Sequence, residues 1–317
     1  MTVAPLTPET NIYIAGHRGL VGSAIWRHLF AQGYRNLHGW SSAELDLTDR
    51  DATMDALTTL RPDVVVDAAA RVGGILANDS RPVDFLNDNL RIQTNLFEAA
   101  HAADVNRLLF LGSSCIYPKL APQPIKEEYL LTGHLEPTND AYAIAKIAGI
   151  MAMSAYRRQF GRQWISAMPT NLYGPGDNFD LQSSHVLPAM IRKFHEATVT
   201  GDPVTLWGSG APRREFLHTD DLAAAVVHLL GNYDSATTIN IGVGEDVSIS
   251  ELADIIADVT GFTGDVVWDR SKPDGTPRKL LDVSRLHDTG WSAQIPLRAG
   301  IAATYSWYLD NGALARP

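Results

Sequence analysis

The chain has 317 residues, 45% hydrophobic and 20% charged, with 36 acidic side chains against 26 basic ones and a single cysteine. That composition excludes disorder, and one cysteine excludes both an intramolecular disulfide and a multi-cysteine zinc centre, so no metal is expected. A formal charge of −10 argues against a nucleic-acid partner, and the absence of a signal-like start or a membrane-length apolar run points to a cytoplasmic protein with no membrane partner.

In chain order, residues 11–15 (NIYIA) form a β-branched strand, followed by a glycine turn and a helical stripe over 24–33. Further strands are expected at 63–70, 107–114 and 164–169, with helices at 49–60, 82–103 and 140–159 between them. Strands alternating with helices of this length predict βαβ units in a parallel sheet with right-handed crossovers. Beyond Tyr173 the pattern loosens. Residues 171–179 (NLYGPGDNF) are read as a loop, and 186–197 as a helix. An extended entry at 214 leads into a helix capped by Thr219 or Asp220. A short strand at 237–242, a helix capped by Ser248 or Ser250, and a charged loop over 271–282 complete the pattern.

The expected fold is α/β: a Rossmann-type doubly wound parallel sheet with a smaller C-terminal α/β substrate domain. The dinucleotide domain spans 1–175, completed by about 214–245, and 176–317 form most of the substrate domain.

Gly16, Gly19 and Gly22 stand as GxxGxxG directly after the first strand. Such a turn lets backbone approach a pyrophosphate and aims a helix N-terminus at it. The region after the second strand carries Trp40, Ser41 and Ser42 where an NAD-selective site places an acid, while Arg18 sits in the glycine loop. Both features favour NADP. Asp46 and Leu47 either flank the adenine or form an acidic helix entry.

Tyr142 and Lys146 are four apart on an expected helix and share a face. A nearby ammonium lowers a phenol's pKa, so YxxxK makes a proton-exchanging pair, and Ser113 and Ser114 end the strand before it. The motif is weak alone and gains weight from that placement.

Together GxxGxxG, the strand-end serine and YxxxK resemble the extended short-chain dehydrogenase/reductase family. LGSSCIYPK, EPTNDAYAIAKIAG, MPTNLYGPGDNF and KPDGTPRKLLDV resemble the members that act on GDP-sugars, over about 11–309. The resemblance implies NADPH-dependent inversion of C3 and C5 and reduction of C4 in GDP-4-keto-6-deoxy-D-mannose, giving GDP-L-fucose. It implies that Tyr142 donates the proton in reduction, that Lys146 lowers its pKa, and that Ser113 binds the C4 oxygen. Cys115 and His185 match the epimerisation pair, Cys115 as a thiolate base and His185 as the acid. Without the resemblance, a lone strand-end cysteine is more often a buried small apolar residue, and a histidine before a helix a cap or core residue.

For the cofactor the resemblance adds Leu20, Val21, Ala68, Ala69, Ala70, Pro169, Asn171, Leu172 and His185. For the substrate it adds Asn139 and Asn171 on sugar hydroxyls, Trp207 beside the sugar, and Arg214, Lys279 and Lys193 on the diphosphate. Relatives often carry arginine after the second strand, so NADP selectivity here rests on Arg18 and the serines. A 4,6-dehydratase would place Asp–Glu after the strand-end serine, where this chain has Cys115–Ile116. The remaining alternatives are another nucleotide-sugar epimerase/reductase of the family or a dinucleotide-sensing protein. Relatives pair through two helices, and a homodimer is expected through 82–103 and 140–159, whose apolar residues (Phe85, Leu86, Leu90, Ile92, Leu96, Phe97, Ile150, Met151, Met153) exceed one stripe.

Overall fold

The structure is a computed structural model that describes residues 5–272 and 274–311. The two ends of the expected domain spans, and Pro273 of the expected 271–282 loop, lie outside the described residues.

Six strands form one parallel sheet: β1 (Ile12–Ala15), β2 (Leu37–His38), β3 (Val64–Asp67), β4 (Arg107–Leu111), β5 (Gln163–Pro169) and β6 (Ile239–Ile241). Their spatial order is β6-β5-β4-β3-β1-β2. Every residue of β1, β3 and β4 is buried. That is why these strands read as unbroken apolar runs: helices cover both faces of a parallel sheet. Helix Leu20–Ala31 packs against Thr219–Asn232, while Arg50–Leu60, Pro82–Ala102 and Asp140–Phe160 form a second row. The chain winds outward in one direction from β1 and in the other from β3. A crevice therefore opens at the carboxyl ends of these two strands, the usual ligand position in such sheets.

A second apolar cluster lies apart from the sheet, built on Tyr173, Phe179, Leu187, Ile191, Phe194, Leu252, Ile256 and Ile301. Short strands surround it. Val204–Trp207 pairs with Val266–Asp269, and Arg213–Arg214 lies between Val247–Ser248 and Arg278–Lys279.

Several local expectations are corrected. The first helix begins at Leu20, not at 24, because Gly19 is already its extended N-cap. Asn171–Tyr173 is a strand paired with Phe216–His218, since the turn-forming glycines and proline begin only at Gly174. The Thr219–Asn232 helix is capped by His218, whose Nδ1 accepts from the Asp220 N–H at 3.2 Å; Thr219 and Asp220 lie inside the helix. Asp49, not Asp46, caps Arg50–Leu60, accepting from the Ala52 N–H. Ser248 caps its helix in a reciprocal pair with Glu251.

Candidate active site

The glycine loop crosses the carboxyl end of β1. Gly16 has φ +75°, and a Cβ there would lie 2.8 Å from the Ala68 carbonyl oxygen; one on Gly22 would lie 2.2 Å from the Gly16 oxygen. No side chain except hydrogen fits at either place. The turn leaves the Leu20–Ala31 helix without a side-chain cap, its first N–H groups directed at the crevice. Ala68 donates to the Ala15 oxygen, so residues 68–70 run beside the loop. Pro169 ends β5, and Leu172 continues past it; the Asn171 amide donates to the Glu215 carbonyl at 2.8 Å. These residues fit a dinucleotide: a backbone cradle that only glycine permits, against an open helix end.

Beyond β2, the Ser41 N–H and hydroxyl both donate to Glu44 Oε2, at 2.7 and 2.6 Å, and Arg18 lies 3.8 Å from the same oxygen. The two groups expected to meet a 2′-phosphate are thus gathered around one carboxylate. Glu44 was not singled out in the sequence, although Ser41–Glu44 has capping-box spacing. Asp46 accepts from Thr48, and the Leu47 carbonyl accepts from Asn95.

Past β4 the chain turns into a short helix, Ser114–Ile116. The Ser113 hydroxyl caps it, accepting from the Cys115 N–H. Tyr142 and Lys146 enter from the first turns of Asp140–Phe160. The Ser113 hydroxyl is close enough to the Tyr142 phenol to draw its pKa down, and Cys115 is close enough to Tyr142, Lys146 and Lys279 to act on each electrostatically. Ser113, Cys115, Tyr142, Lys146 and Lys279 therefore converge. Lys279 reaches the group because Ile125 and Leu280 share a 2.7 Å backbone bond, and Lys279 pairs in register with Arg214 on the small sheet. Tyr142, Cys115, Lys279 and Arg214 are half-buried by area yet largely enclosed by protein, as the walls of a cleft are.

Burial pushes the Tyr142 phenol up, Cys115 adds to this, and Ser113 alone pulls it down. The Lys146 ammonium donates to the Leu111 carbonyl at 2.9 Å and lies 4.6 Å from the Phe110 ring centre. Burial also pushes the Cys115 thiol up, opposed by Lys279, then by the Ser113 hydrogen bond and Lys146. The cations expected to favour a thiolate are in place, but burial outweighs them in the free chain. Burial lowers Lys146, Lys279 and Arg214 alike.

The other residues are placed more loosely. His185 is the N-cap of Val186–Thr200, open by area but enclosed, and burial lowers it. Its loop is held by the Gly74 N–H donating to the Ser183 oxygen. Among the described residues, no hydrogen bond joins His185 to the Cys115 group. Asn139 precedes the Asp140–Phe160 helix with its Oδ1 buried and unbonded. Lys193 donates to the Thr205 carbonyl, and Trp207 is 53% exposed with the Lys272 ammonium 5.5 Å from its ring. Two carboxylates with no exposed surface, Asp67 and Glu215, went unnoticed in the sequence. Asp67 ends β3 facing Lys146. Glu215 accepts from the Val243, Gly244 and Leu281 N–H groups, tying the small sheet to β6. An acid closing an apolar strand, as in VVVD, is the signal that points to Asp67.

Fold, glycine cradle and Ser–Tyr–Lys cluster define a nucleotide-dependent enzyme of the short-chain dehydrogenase/reductase class. Residues 12–242 match the model of the NAD dependent epimerase/dehydratase family, and the chain belongs to that family. It is 55% identical to GDP-L-fucose synthase of Escherichia coli (strain K12) over 313 residues, 96% of this chain and 98% of that one. It is 56% identical to GDP-L-fucose synthase 1 of Arabidopsis thaliana over 304 residues, 96% of this chain and 94% of the relative. Among solved structures, a GDP-L-fucose synthetase from Naegleria fowleri bound to NADP superposes with TM-score 0.92 at 30% identity, covering 100% of this chain and 99% of that one.

Proposed function

We propose that this chain converts GDP-4-keto-6-deoxy-D-mannose to GDP-L-fucose by inverting C3 and C5 and then reducing C4 with NADPH. The observation that carries this is near-full-length identity of 55% to a GDP-L-fucose synthase. A GDP-L-colitose synthase of Yersinia pseudotuberculosis matches at 39%, which favours the fucose reaction over another GDP-sugar.

Bound NADPH supplies the hydride that reduces C4. The chain's own residues hold and move protons. The C4 ketone acidifies the hydrogens on C3 and C5, and charge collects on its oxygen in each step, where Ser113 and Tyr142 donate hydrogen bonds. Tyr142 suits an acid because its enclosure keeps the phenol protonated until the C4 alkoxide takes that proton. Cys115 and His185 exchange protons at C3 and C5 from opposite faces, with Lys279 favouring the thiolate. Arg214 and Lys279 receive the diphosphate, with Lys193 beside them; Asn139 and Asn171 meet sugar hydroxyls, and Trp207 lines the outer wall. Residues 1–175 with 214–245 serve the dinucleotide, and 176–317 mainly the GDP-sugar.

We read the enzyme as a cytoplasmic homodimer. No helix of the described residues is long and apolar enough to cross a membrane. Of the apolar residues on the two long helices, Phe85, Leu96, Phe97, Ile150 and Met153 are covered within the chain, whereas Met151 and Ile144 are exposed. The latter, with Leu90 and Ala152 along the groove between the helices, are left for a second copy.

The test is the purified protein with GDP-4-keto-6-deoxy-D-mannose and NADPH, followed by nicotinamide absorbance and product NMR. GDP-L-fucose is the expected product. An unepimerised deoxysugar would retain the reductase and remove the Cys115–His185 assignment; no oxidation of NADPH would overturn the reading.

A further inference from the structure

Asp67 is the last residue of β3 and is fully buried. It pairs in register with Ala15 on β1 and Phe110 on β4. Partnered residues on adjacent strands project from the same face of a sheet. The Lys146 ammonium lies over the Phe110 ring, 4.6 Å from its centre, and donates to the oxygen of the next residue, Leu111, at 2.9 Å. Carboxylate and ammonium therefore share the face covered by the Asp140–Phe160 helix. Both are enclosed: Lys146 is 3% exposed and Asp67 0%. Asp67 Oδ1 accepts from the Ala69 N–H, while Oδ2 is buried without a hydrogen-bond partner.

We propose that Asp67 is a positioning residue for Lys146, a buried counter-charge at the end of β3 that keeps the ammonium charged and seated against β4. This deepens the reading given above and rests on it, with Lys146 as the ammonium that stabilises the Tyr142 phenolate once the C4 alkoxide has taken its proton. A charge enclosed by protein is costly unless an opposite charge faces it. Without Asp67, the Lys146 ammonium would be stabilised by one carbonyl and one ring.

The electrostatics agree in both directions. Burial raises Asp67 to about 6 while Lys146 pulls it down. Burial lowers Lys146 while Asp67, then Cys115, pull it up. The other titratable group facing Asp67 is Tyr13 on β1, a phenol raised by burial and by Asp67. Among the described residues Lys146 is the one cation that acts on Asp67. No direct ion pair joins them, so the effect is through space.

Asp67→Asn separates this role from a turn cap, because the amide oxygen still accepts from Ala69 while the charge is gone. With NADPH and GDP-4-keto-6-deoxy-D-mannose, we expect the alkaline limb of the kcat profile to move down by about one pH unit, so that kcat on that limb falls about tenfold. KM for the sugar should change less than about twofold. A limb and kcat equal to wild type, with or without a lower Tm, would overturn the proposal. A second measurement leaves Asp67 in place: the 13C shift of its labelled carboxyl carbon, titrated in the wild type and in Lys146→Met. Loss of the ammonium should raise the Asp67 midpoint by about one unit, and an unmoved midpoint would overturn the proposal even if Asp67→Asn fails to fold. Wild-type protein that leaves this sugar unreduced would sink the proposed reaction, while the carboxyl titration would still decide the pairing.

Discussion

The Lys279 ammonium is the strongest of the groups that draw the Cys115 thiol toward its ionised form, although Lys279 lies on the small sheet and Cys115 in the short helix after β4. Lys279 stands in register with Arg214, and both are lowered by burial in the same cleft. One cationic wall thus faces both the thiol and the place assigned to the diphosphate. Lys279→Met should raise the thiol pKa and slow Cys115 alkylation by iodoacetamide at pH 8 by roughly three- to tenfold, because only the thiolate reacts. The chain has no other cysteine, so mass spectrometry reads this rate directly. An unchanged rate would remove Lys279 from the thiol's surroundings.

Tyr142 and Cys115 interact with each other, but they act at different atoms in the proposed reaction. Tyr142→Phe should lower NADPH oxidation by a factor of about 10² to 10⁴, the usual range for a positioned proton donor, while exchange of the C3 and C5 hydrogens with D2O persists. Cys115→Ser should do the reverse, slowing exchange more than reduction of a substrate already epimerised. Equal loss of both activities in both variants would show that the two steps do not divide between these residues.

The cradle gives a prediction about binding rather than chemistry. A methyl group at Gly22 would lie 2.2 Å from the Gly16 oxygen, 2.7 Å from its carbonyl carbon and 2.8 Å from the His17 Cα, all backbone. Nothing there yields by rotating a side chain. Gly22→Ala should cost on the order of 1–3 kcal/mol of stability and weaken NADPH binding at least tenfold, as read by nicotinamide fluorescence. Gly33→Ala is the control: its added Cβ meets nothing, though its φ of +95° leaves some strain. It should lose stability without losing the cofactor.

The central sheet was legible because buried parallel strands leave unbroken runs such as IYIA and RLLFL, and the glycine loop because its spacing follows the first of them. What escaped depends on partners distant in sequence. Asn171–Tyr173 becomes a strand only because Phe216–His218 lies beside it. His218 caps a helix because its burial against Tyr173 holds the ring at Asp220. The surroundings of Tyr142 and Lys146 likewise come from distant segments. Their spacing sets a shared helix face, but the carbonyl that the ammonium meets belongs to Leu111 at the end of β4. Ser113, Cys115 and Lys279 meet because residues 123–125 bind the segment around Leu280, a contact that no local pattern encodes.

Asp177 carries a pH prediction independent of the reaction. It is 4% exposed, and burial raises its carboxyl to about 7, with only the Asn178 N–H pulling back. Its Oδ2 is buried without a hydrogen-bond partner. A carboxyl whose folded value lies above its unfolded value binds more protons in the folded state throughout the interval between the two. Stability from this residue is therefore present at low pH and lost as pH rises from about 4 to 7. The loss amounts to a few kcal/mol at most, roughly 1.4 kcal/mol per unit of separation. Asp177→Asn keeps the oxygen that accepts from Asn178 and removes the ionisation. Its Tm should lie closer to wild type at pH 5 than at pH 8, and at pH 8 the variant should be the more stable protein. Two Tm curves that stay parallel from pH 5 to 8 would show that Asp177 is already ionised, or already neutral, across the whole range.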